Sequence, residues 1–203
     1  PDWIGGGFIG VDVFFVISGY LISAILFNEL DQKTFSFIHF YSRRIRRIFP
    51  ALSVILLSAF VFGWFVMLTD EYRELGKHIA GGAGFVSNFL LWHESGYFDS
   101  AAELKPLLHL WSLGIEEQFY VVWPLLLALI WKLRLNPLFI ISLLTGISFF
   151  LNIYGIKNDP IATFYSPQTR FWELSIGAIL AYLQYYPSSF IDDLISKLDS
   201  LLT

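Results

Sequence analysis

The sequence predicts an all-α fold, a polytopic transmembrane helical bundle of about six membrane helices, from its composition and its long apolar runs. Of the 203 residues, 56% are hydrophobic, 19% are aromatic and only 15% are charged. Soluble globular chains carry about 25% charged residues, so this composition excludes a soluble enzyme. A helix needs about 20 apolar residues to cross a bilayer. Six runs approach that length: 8–27, 49–68, 78–92, 107–131, 138–156 and 162–186.

Three of these runs contain almost no charge. Run 8–27 holds only Asp12, and runs 49–68 and 138–156 hold no charged residue. Backbone polar groups in lipid must be satisfied internally, so such runs are expected to cross as helices. The connections between runs are too short to form a separate domain. We therefore expect one partial membrane domain over 1–203, ending in a polar, amphipathic tail at 187–203.

The other three runs are less uniform. Run 78–92 is short and rich in glycine, which leaves open either a span or a re-entrant segment. Run 107–131 carries two glutamates, and run 162–186 carries an arginine and a glutamate. Charged side chains inside apolar runs normally face the bundle interior or a water-filled cavity. These runs are therefore expected to contribute the polar groups of a buried site.

The charge balance and the missing cysteines narrow the function classes. The net charge of −4 argues against a nucleic-acid partner, because phosphate binding needs a basic surface. The chain has no cysteine, and its four histidines lack a ligand spacing, so no metal site is expected. Cytoplasmic connections retain Lys and Arg. Placing the connection 28–47 inside puts eight of the thirteen basic residues there, including Lys157, and leaves Lys132 and Arg134 outside.

Glycines cluster just before the first apolar run. Residues 5–10 read GGGFIG and formally match G-x-G-x-x-G. That motif indicates a dinucleotide site only between a strand and a helix, and here a membrane-length apolar run follows it. Gly6 and Gly10 are instead expected to let two helices approach closely.

Four arginines lie within five residues, at Arg43, Arg44, Arg46 and Arg47, just before run 49–68. On a helix the first, third and fourth share a face, and Arg44 is rotated by about 100°. Guanidinium groups bind phosphate oxygens in a bidentate manner, so the cluster predicts a seat for a phosphorylated cytosolic ligand. The alternative is an anchor that contacts anionic lipid headgroups of the bilayer.

Run 107–131 contains a second candidate group. His109 and Glu116 are seven residues apart and share a helix face, whereas Glu117 is expected to point elsewhere. A histidine and a glutamate on one face can orient a hydroxyl or relay protons. The alternative is a histidine at the cytosolic edge beside a solvated carboxylate. Arg170 and Glu173 are three residues apart, which favours a neutralised helix pair.

Four sequence blocks occur in a fixed order along the chain: GGFIGVDVFFVISGYLI at 6–22, FYSRRIRRIFP at 40–50, LHLWSLGIEEQFY at 108–120 and YSPQTRFWEL at 165–174. Together they resemble the acyltransferase-3 family of integral-membrane O-acyltransferases, and the last block resembles its bacterial O-antigen acetylase branch. The resemblance implies an enzyme of the bacterial inner membrane. It implies transfer of an acyl group, usually acetyl, from cytosolic acyl-CoA to a hydroxyl of an extracytoplasmic glycan such as lipopolysaccharide O-antigen.

The resemblance also implies roles for individual residues. The arginine cluster corresponds to the family's cytoplasmic arginine-rich loop and would recognise coenzyme A, the donor substrate, with no other bound cofactor. Glu116 and Glu117, with His109 nearby, correspond to the buried polar centre along the acyl path, and which glutamate faces the substrate is left open. The family's first helix, with its catalytic histidine, would precede Pro1, so this piece is expected to be inactive alone. An SGNH domain, fused or separate, is a further expected partner.

A transporter or flippase fragment is the main alternative from another class. Asp12, Glu116 and Glu173 would then be proton or ion sites near the middle of the membrane. Such proteins commonly show paired interrupted helices in two related halves, and the sequence shows no internal repeat. A lipid-binding membrane scaffold is a second alternative. Neither explains four ordered blocks.

Overall fold

The computed structural model describes residues 7–95, 105 and 107–187, and this part of the chain is helical and contains no strand. The all-α prediction is confirmed. Eight helices follow one another in the described residues: α1 (Gly7–Asp31), α2 (Phe37–Val66), α3 (Thr69–Ala83), α4 (Ser87–Glu94), α5 (Leu110–Lys132), α6 (Pro137–Asn158), α7 (Pro160–Tyr165) and α8 (Phe171–Tyr185). A 3₁₀ turn at Pro167–Thr169 separates the last two.

Four helices are long and apolar enough to cross a membrane: Ile9–Asp31 of α1, and the whole of α2, α5 and α6. Many large apolar side chains on them are exposed, such as Phe65 of α2 and Phe150 of α6. Water would not tolerate so much apolar surface, whereas lipid requires it. The protein is therefore a membrane protein, and α5 and α6 closely match the predicted runs 107–131 and 138–156.

The helix expected to begin at residue 49 begins at Phe37. The predicted connection over 28–47 therefore shrinks to residues 32–36, and all four arginines lie inside α2. Phe40 is buried in the core, and the Tyr41 hydroxyl donates a hydrogen bond to the Val121 carbonyl at 2.9 Å. Because arginine is a good helix former and these two aromatic side chains dock on the bundle, the segment continues as helix.

The run 78–92 forms two helices, α3 and α4, with a break at Phe85. Phe85 has a φ of 56°, in the left-handed region, so α3 cannot continue through it. The Nε2 atom of His78 on α3 lies 3.1 Å from the Oε2 atom of Glu94 on α4. The third turn of α3 and the last turn of α4 therefore lie side by side, and the two helices form a hairpin around Phe85, as the re-entrant alternative requires.

The run 162–186 is also interrupted. Asp159 accepts a hydrogen bond from the Ala162 amide at 2.9 Å and begins the short helix α7. Ser166 then adopts an extended conformation, as residues before proline usually do, and Pro167 begins the 3₁₀ turn. Helix α8 starts afresh at Phe171. The break places Arg170 at the junction between the turn and α8.

Because α3 and α4 form a hairpin, the connections after it lie at the opposite ends of the bundle from those predicted from the sequence. Trp131 near the end of α5 donates a hydrogen bond to Asp31 at the end of α1, with its Nε1 atom 3.1 Å from Oδ1, so α1 and α5 run parallel. Lys132 and Arg134 therefore lie at the end of the bundle where α2 begins. Lys157, at the end of the antiparallel helix α6, lies at the opposite end. The assignment of Lys157 to the arginine side and of Lys132 to the other side is wrong.

Helices α1 and α8 form the closest pair of the bundle. A Cβ atom at Gly19 would lie 1.9 Å from the Leu174 carbonyl oxygen, and one at Gly177 would lie 2.0 Å from the Val16 carbonyl oxygen. The two backbones touch because neither glycine has a side chain. This parallel pair forms the wall against which α5 packs.

Two expectations involve residues outside the described part of the chain. The tail predicted at 187–203 lies outside it from residue 188 onward, and so does Gly6. Gly10, the other half of the predicted glycine contact, has no atom of the described residues within 4 Å of a Cβ built on it. The described residues thus show no close approach at Gly10, and Gly19 with Gly177 provides one instead.

Candidate functional site

The site centres on Arg44, whose side chain is only 16% exposed. Its Nη2 atom lies 3.3 Å from Oε1 of Glu117 and 3.8 Å from Oε1 of Glu116. The guanidinium carbon stands 3.6 Å from the centre of the Tyr120 ring. A buried arginine is costly unless it is paired, and two carboxylates with one aromatic face supply that pairing. The cluster carries one positive and two negative groups when all three ionise.

Two helices position these groups. Tyr41 and Arg44 are one turn apart on α2, and the hydrogen bond from Tyr41 to α5 fixes the face that α2 presents. Glu116 and Tyr120 are one turn apart on α5, and the Tyr120 hydroxyl donates a hydrogen bond to Oε1 of Glu116. Glu117 was expected to point away from this face. It also converges on Arg44, because the long arginine side chain lies between the two carboxylates.

Two atoms of this buried cluster are available for further hydrogen bonds. The buried Nε atom of Arg44 has no hydrogen-bond partner among the described residues, and the buried Oε1 atom of Glu117 has only its ion-pair contact with Nη2 of Arg44, at 3.3 Å. Buried polar atoms are nearly always paired, so such exceptions point to a missing ligand or to water. The donor on Arg44 can bind a carbonyl oxygen, and the acceptor on Glu117 can bind a hydroxyl.

Cavities lie on both sides of Arg44 and Glu117, and both residues line each of them. The polar cavity has a volume of about 270 Å³ and lies between α1, α2 and α5, with Ser18, Arg47 and Tyr120 in its wall. The apolar cavity has a volume of about 540 Å³ and lies between α2, α5 and the break after α3. The ion pair therefore forms part of a partition between two cavities with largely apolar walls, of which the smaller has more polar side chains in its wall.

The four arginines separate as the helical spacing predicts. Arg44 faces the glutamates, whereas Arg43, Arg46 and Arg47 are exposed. Arg43 pairs with Glu29 of α1, its Nη2 atom 2.5 Å from Oε1. Arg47 lines the polar cavity beside Arg44. The cluster thus provides one buried cation and an exposed basic face.

His109 does not join this centre. It lies just before the first residue of α5, and its side chain is exposed. Seven residues separate it from Glu116, which is about 10 Å along a helix axis. The expected grouping of His109 with Glu116 and Glu117 is therefore absent from the described geometry.

A second buried ion cluster lies at the junction before α8. The Nη1 atom of Arg170 is 2.8 Å from Oε1 of Glu173, as the helical spacing predicts, and 2.9 Å from Oδ1 of Asp12 on α1. Its Nε atom donates to the Phe164 carbonyl at 3.3 Å. Sequence spacing indicated the local pair, but not the participation of Asp12, which comes from another helix. The cluster ties α1 to the beginning of α8.

Two amide side chains beside the centre were not singled out in the sequence. Gln118 donates through Nε2 to the Phe85 carbonyl at 2.8 Å and to Oδ1 of Asn88 at 2.9 Å. Asn88 is fully buried and donates through Nδ2 to the Tyr165 carbonyl at 3.0 Å. The available signal was the presence of a primary amide inside each of two apolar runs, which requires a buried partner.

Comparison with known proteins decides the family. A family model described as an acyltransferase domain matches residues 2–198. The chain belongs to the acyltransferase-3 family. The buried centre on α2 and α5 is therefore a feature of an acyltransferase domain, and its arginine and glutamates lie in two of the blocks by which the sequence resembles that family.

Three relatives illustrate the similarity of this acyltransferase-3 chain. YrhL of Bacillus subtilis is 41% identical over 191 residues, which cover 89% of the chain and 29% of YrhL. The peptidoglycan O-acetyltransferase OatA of Listeria monocytogenes is 35% identical over 193 residues, which cover 90% of the chain and 30% of OatA. An uncharacterised protein of Haemophilus influenzae is 36% identical over 180 residues, which cover 84% of the chain and 73% of that protein.

The chain thus spans about 30% of the length of YrhL and OatA. No solved structure matches the chain. The sequence relatives establish the family, and the geometry of the centre rests on the structure described above.

Proposed function

We propose that the protein is an O-acyltransferase of the bacterial inner membrane that moves an acetyl group from cytosolic acetyl-CoA to a hydroxyl of an extracytoplasmic glycan. The observation that carries the proposal is the buried ion pair of Arg44 and Glu117 on the partition between two cavities, in which Nε of Arg44 has no partner among the described residues and Oε1 of Glu117 is held by Nη2 of Arg44. Family membership and four membrane-length helices support it. Acyl transfer needs a carbonyl oxygen to be polarised and a hydroxyl to be oriented, and these two atoms can do both.

The acceptor we propose is peptidoglycan. OatA of Listeria monocytogenes is named as a peptidoglycan O-acetyltransferase and is similar over 90% of the chain. Lipopolysaccharide O-antigen, which the sequence resemblance suggests, is the alternative acceptor. The two glycans are chemically distinct, so the position of incorporated acetate in isolated cell-envelope fractions separates them.

The donor is proposed to enter from the basic side of α2. Arg46 and Arg47 are exposed, and their guanidinium groups match the phosphate oxygens of coenzyme A. Arg47 also lines the polar cavity that leads to Arg44. Phosphates held at the exposed arginines would leave the thioester arm free to extend along this cavity. Arg43 contributes positive charge to the same region, although Glu29 already binds it.

The chemistry proposed at the centre is the transfer of an acetyl group from the sulfur of coenzyme A to the oxygen of a glycan hydroxyl. The thioester carbonyl oxygen accepts a hydrogen bond from Nε of Arg44, and the attacking hydroxyl donates to Oε1 of Glu117. As the hydroxyl oxygen bonds to the carbonyl carbon, Glu117 accepts the hydroxyl proton; the carbon–sulfur bond then breaks, and Glu117 passes the proton to the leaving coenzyme A thiolate. Glu116 holds the Tyr120 hydroxyl, so Glu117 is the glutamate proposed to face the substrate.

The transporter alternative receives less support from the geometry. It requires acidic groups that can bind a proton or an ion. Asp12 and Glu173 are both bound to Arg170, and Glu116 lies near Arg44 and accepts from Tyr120. Their positive and hydrogen-bonding neighbours already satisfy much of the carboxylate charge.

The function is tested with the full-length protein in membrane vesicles, using radiolabelled acetyl-CoA and, in separate assays, peptidoglycan strands or lipopolysaccharide. Glu117→Gln keeps the shape of the side chain but removes its charge, and acetyl transfer is expected to fall at least about 100-fold, the usual contribution of a proton-transfer group. Glu74→Gln is the matched control, because Glu74 is an exposed glutamate that pairs with Lys77. Wild-type vesicles that incorporate no acetate into either glycan would refute the proposed function.

A further inference from the structure

The break between α3 and α4 lies directly beside the proposed centre. Gly84, Phe85 and Val86 form this hairpin tip, and all three line the apolar cavity together with Arg44 and Glu117. The left-handed backbone of Phe85 is uncommon for a large side chain and persists only where its surroundings hold it. Contacts from neighbouring helices must therefore hold the tip in this conformation.

A chain of two side-chain amides binds the tip to α5. Gln118 uses Nε2 to donate to both the Phe85 carbonyl, at 2.8 Å, and Oδ1 of Asn88, at 2.9 Å. Asn88 passes the connection on by donating to the Tyr165 carbonyl at 3.0 Å. Asn88 has no exposed surface, so water does not compete for its hydrogen bonds. The two amides link the hairpin tip, α5 and the end of α7.

A glycine on the same face of α5 lets the tip approach. A Cβ atom on Gly114 would lie 3.1 Å from Oδ1 of Asn88 and 3.2 Å from the Phe85 carbonyl oxygen. Gly114 and Gln118 are four residues apart and therefore on one face of the helix. On the other side of the tip, the Phe85 ring packs edge-on against Phe49 of α2, with ring centres 5.9 Å apart. The tip is thus held between the two helices that carry Arg44 and Glu117.

We propose that Gln118 and Asn88 are positioning residues for acyl transfer, which fix the α3–α4 tip as a rigid wall beside the Arg44–Glu117 pair. This inference rests on the proposed function and deepens it. Gln118 follows Glu117 directly on α5, so the amide contacts fix both the rotation of that turn and the cavity wall opposite Arg44. Reacting groups must be held within a fraction of an ångström, and a misplacement of about 1 Å can reduce a rate about 100-fold.

Two isosteric substitutions separate the links of this chain. Gln118→Glu removes both donors and places a carboxylate against two oxygen acceptors, so it breaks the link between α5 and the tip. Asn88→Asp keeps the acceptor for Gln118 and removes only the donor to Tyr165. The matched control is Gln32→Glu, because Gln32 makes the same kind of amide bond, to Oδ1 of Asn28, at an exposed position.

The kinetic readout is kcat and KM for acetyl-CoA in the full-length protein in membranes. Gln118→Glu is expected to lower kcat at least about 10-fold, with KM for acetyl-CoA changed by less than about two-fold, because the exposed arginines of α2 are untouched. Asn88→Asp is expected to lower kcat by a smaller factor, and Gln32→Glu to leave both constants unchanged. A kcat of wild-type size in the Gln118→Glu protein overturns the inference.

A structural readout makes the inference independent of activity. The 203 residues contain no cysteine, so after replacement by serine of any cysteine elsewhere in the full-length protein, spin labels can be placed at Val86→Cys in the tip and at Leu143→Cys on α6. The distance distribution between the labels is expected to broaden in Gln118→Glu and to stay narrow in Gln32→Glu. An unchanged distribution in Gln118→Glu overturns the positioning role even where kcat falls. If Gln118→Glu does not fold, Asn88→Asp carries both measurements, with wild-type values in both as the refuting result.

The two proposals fail in different ways. Wild-type protein that transfers no acetate refutes the proposed function, whereas the label distances still show whether Gln118 holds the tip. Wild-type protein that transfers acetate, with a Gln118→Glu variant of equal kcat, refutes only the positioning role.

Discussion

The Nη2 atom of Arg44 on α2 lies 3.3 Å from the Oε1 atom of Glu117 on α5, and the two residues together line both the polar and the apolar cavity. The contact joins the arginine-rich block 40–50 to the double-glutamate block 108–120. It also brings the positive charge of α2 against the acidic turn of α5, and Nε of Arg44 is left without a hydrogen-bond partner among the described residues. Changes at this contact should therefore affect stability and acetyl transfer together.

Removal of the Arg44 charge should destabilise the protein strongly. Arg44→Gln leaves Glu116 and Glu117 without their cation inside the bundle, and breaking a buried pair in this way costs about 3–5 kcal/mol. Arg43→Gln breaks the exposed pair with Glu29, for which about 1 kcal/mol or less is expected. Thermal unfolding in detergent measures both. Equal losses of stability in the two variants would contradict the buried ion pair.

The contact between α1 and α8 should tolerate no side chain at Gly19. Gly19→Ala places a Cβ atom 1.9 Å from the Leu174 carbonyl oxygen, so the backbones must separate. Such overpacking costs about 1–3 kcal/mol or more. Gly10→Ala on the same helix adds a methyl group to open space and should leave the unfolding temperature unchanged. A stable Gly19→Ala protein would show that the two helices are further apart than described.

The second ion cluster should depend on its arginine more than on Asp12. Arg170→Met leaves the buried carboxylate of Glu173 without a cation, at a cost of about 3–5 kcal/mol. Asp12→Asn removes one partly exposed carboxylate and leaves the other pair intact, so about 1 kcal/mol or less is expected. Chemical or thermal unfolding of both variants gives the comparison. The reverse order of stability would contradict the geometry.

The exposed arginines should determine the affinity for the donor. The double variant Arg46→Gln, Arg47→Gln is expected to raise KM for acetyl-CoA at least about 10-fold, because each charge-assisted contact with phosphate contributes about 1.5–3 kcal/mol. The matched control is Lys132→Gln, a basic residue in the last turn of α5. The wild-type KM should also rise with salt, and this dependence should weaken in the double variant. A KM unchanged by the double substitution would remove these arginines from the donor site.

The two ends of the bundle should face opposite sides of the membrane. Lys33→Cys lies in the connection between α1 and α2, and Asn158→Cys lies at the end of α6, at the other end of the described bundle. In intact cells, a membrane-impermeant maleimide should label position 158 and not position 33, because basic residues favour the cytoplasmic side. Permeabilised cells give the labelling control. Labelling of position 33 in intact cells would place the arginines outside and remove access to cytosolic acetyl-CoA.

Much of the fold could be predicted from local patterns. Apolar runs of membrane length predicted α1, α5 and α6, because a helix that satisfies its own backbone in lipid must be that long and that apolar. The same counting could not show that α2 begins at Phe37, because Phe40 and Tyr41 become helical by packing on α5. It also left the hairpin at Phe85 open, since its residue type does not favour a φ of 56° and the hydrogen bond that its carbonyl accepts comes from Gln118, 33 residues further along the chain.

The sequence by itself indicated a helical membrane protein of the acyltransferase-3 family. It also predicted seven candidate site residues: Arg43, Arg44, Arg46, Arg47, His109, Glu116 and Glu117. Only the tertiary structure decided that Arg44 meets both glutamates while His109 stands apart, and that Gly19 is the residue that touches α8. The physical reason is that periodicity along one helix fixes which residues share a face. Which faces meet depends on crossing, rotation and close approach between helices that are distant in sequence, and these are decided by packing of the whole bundle.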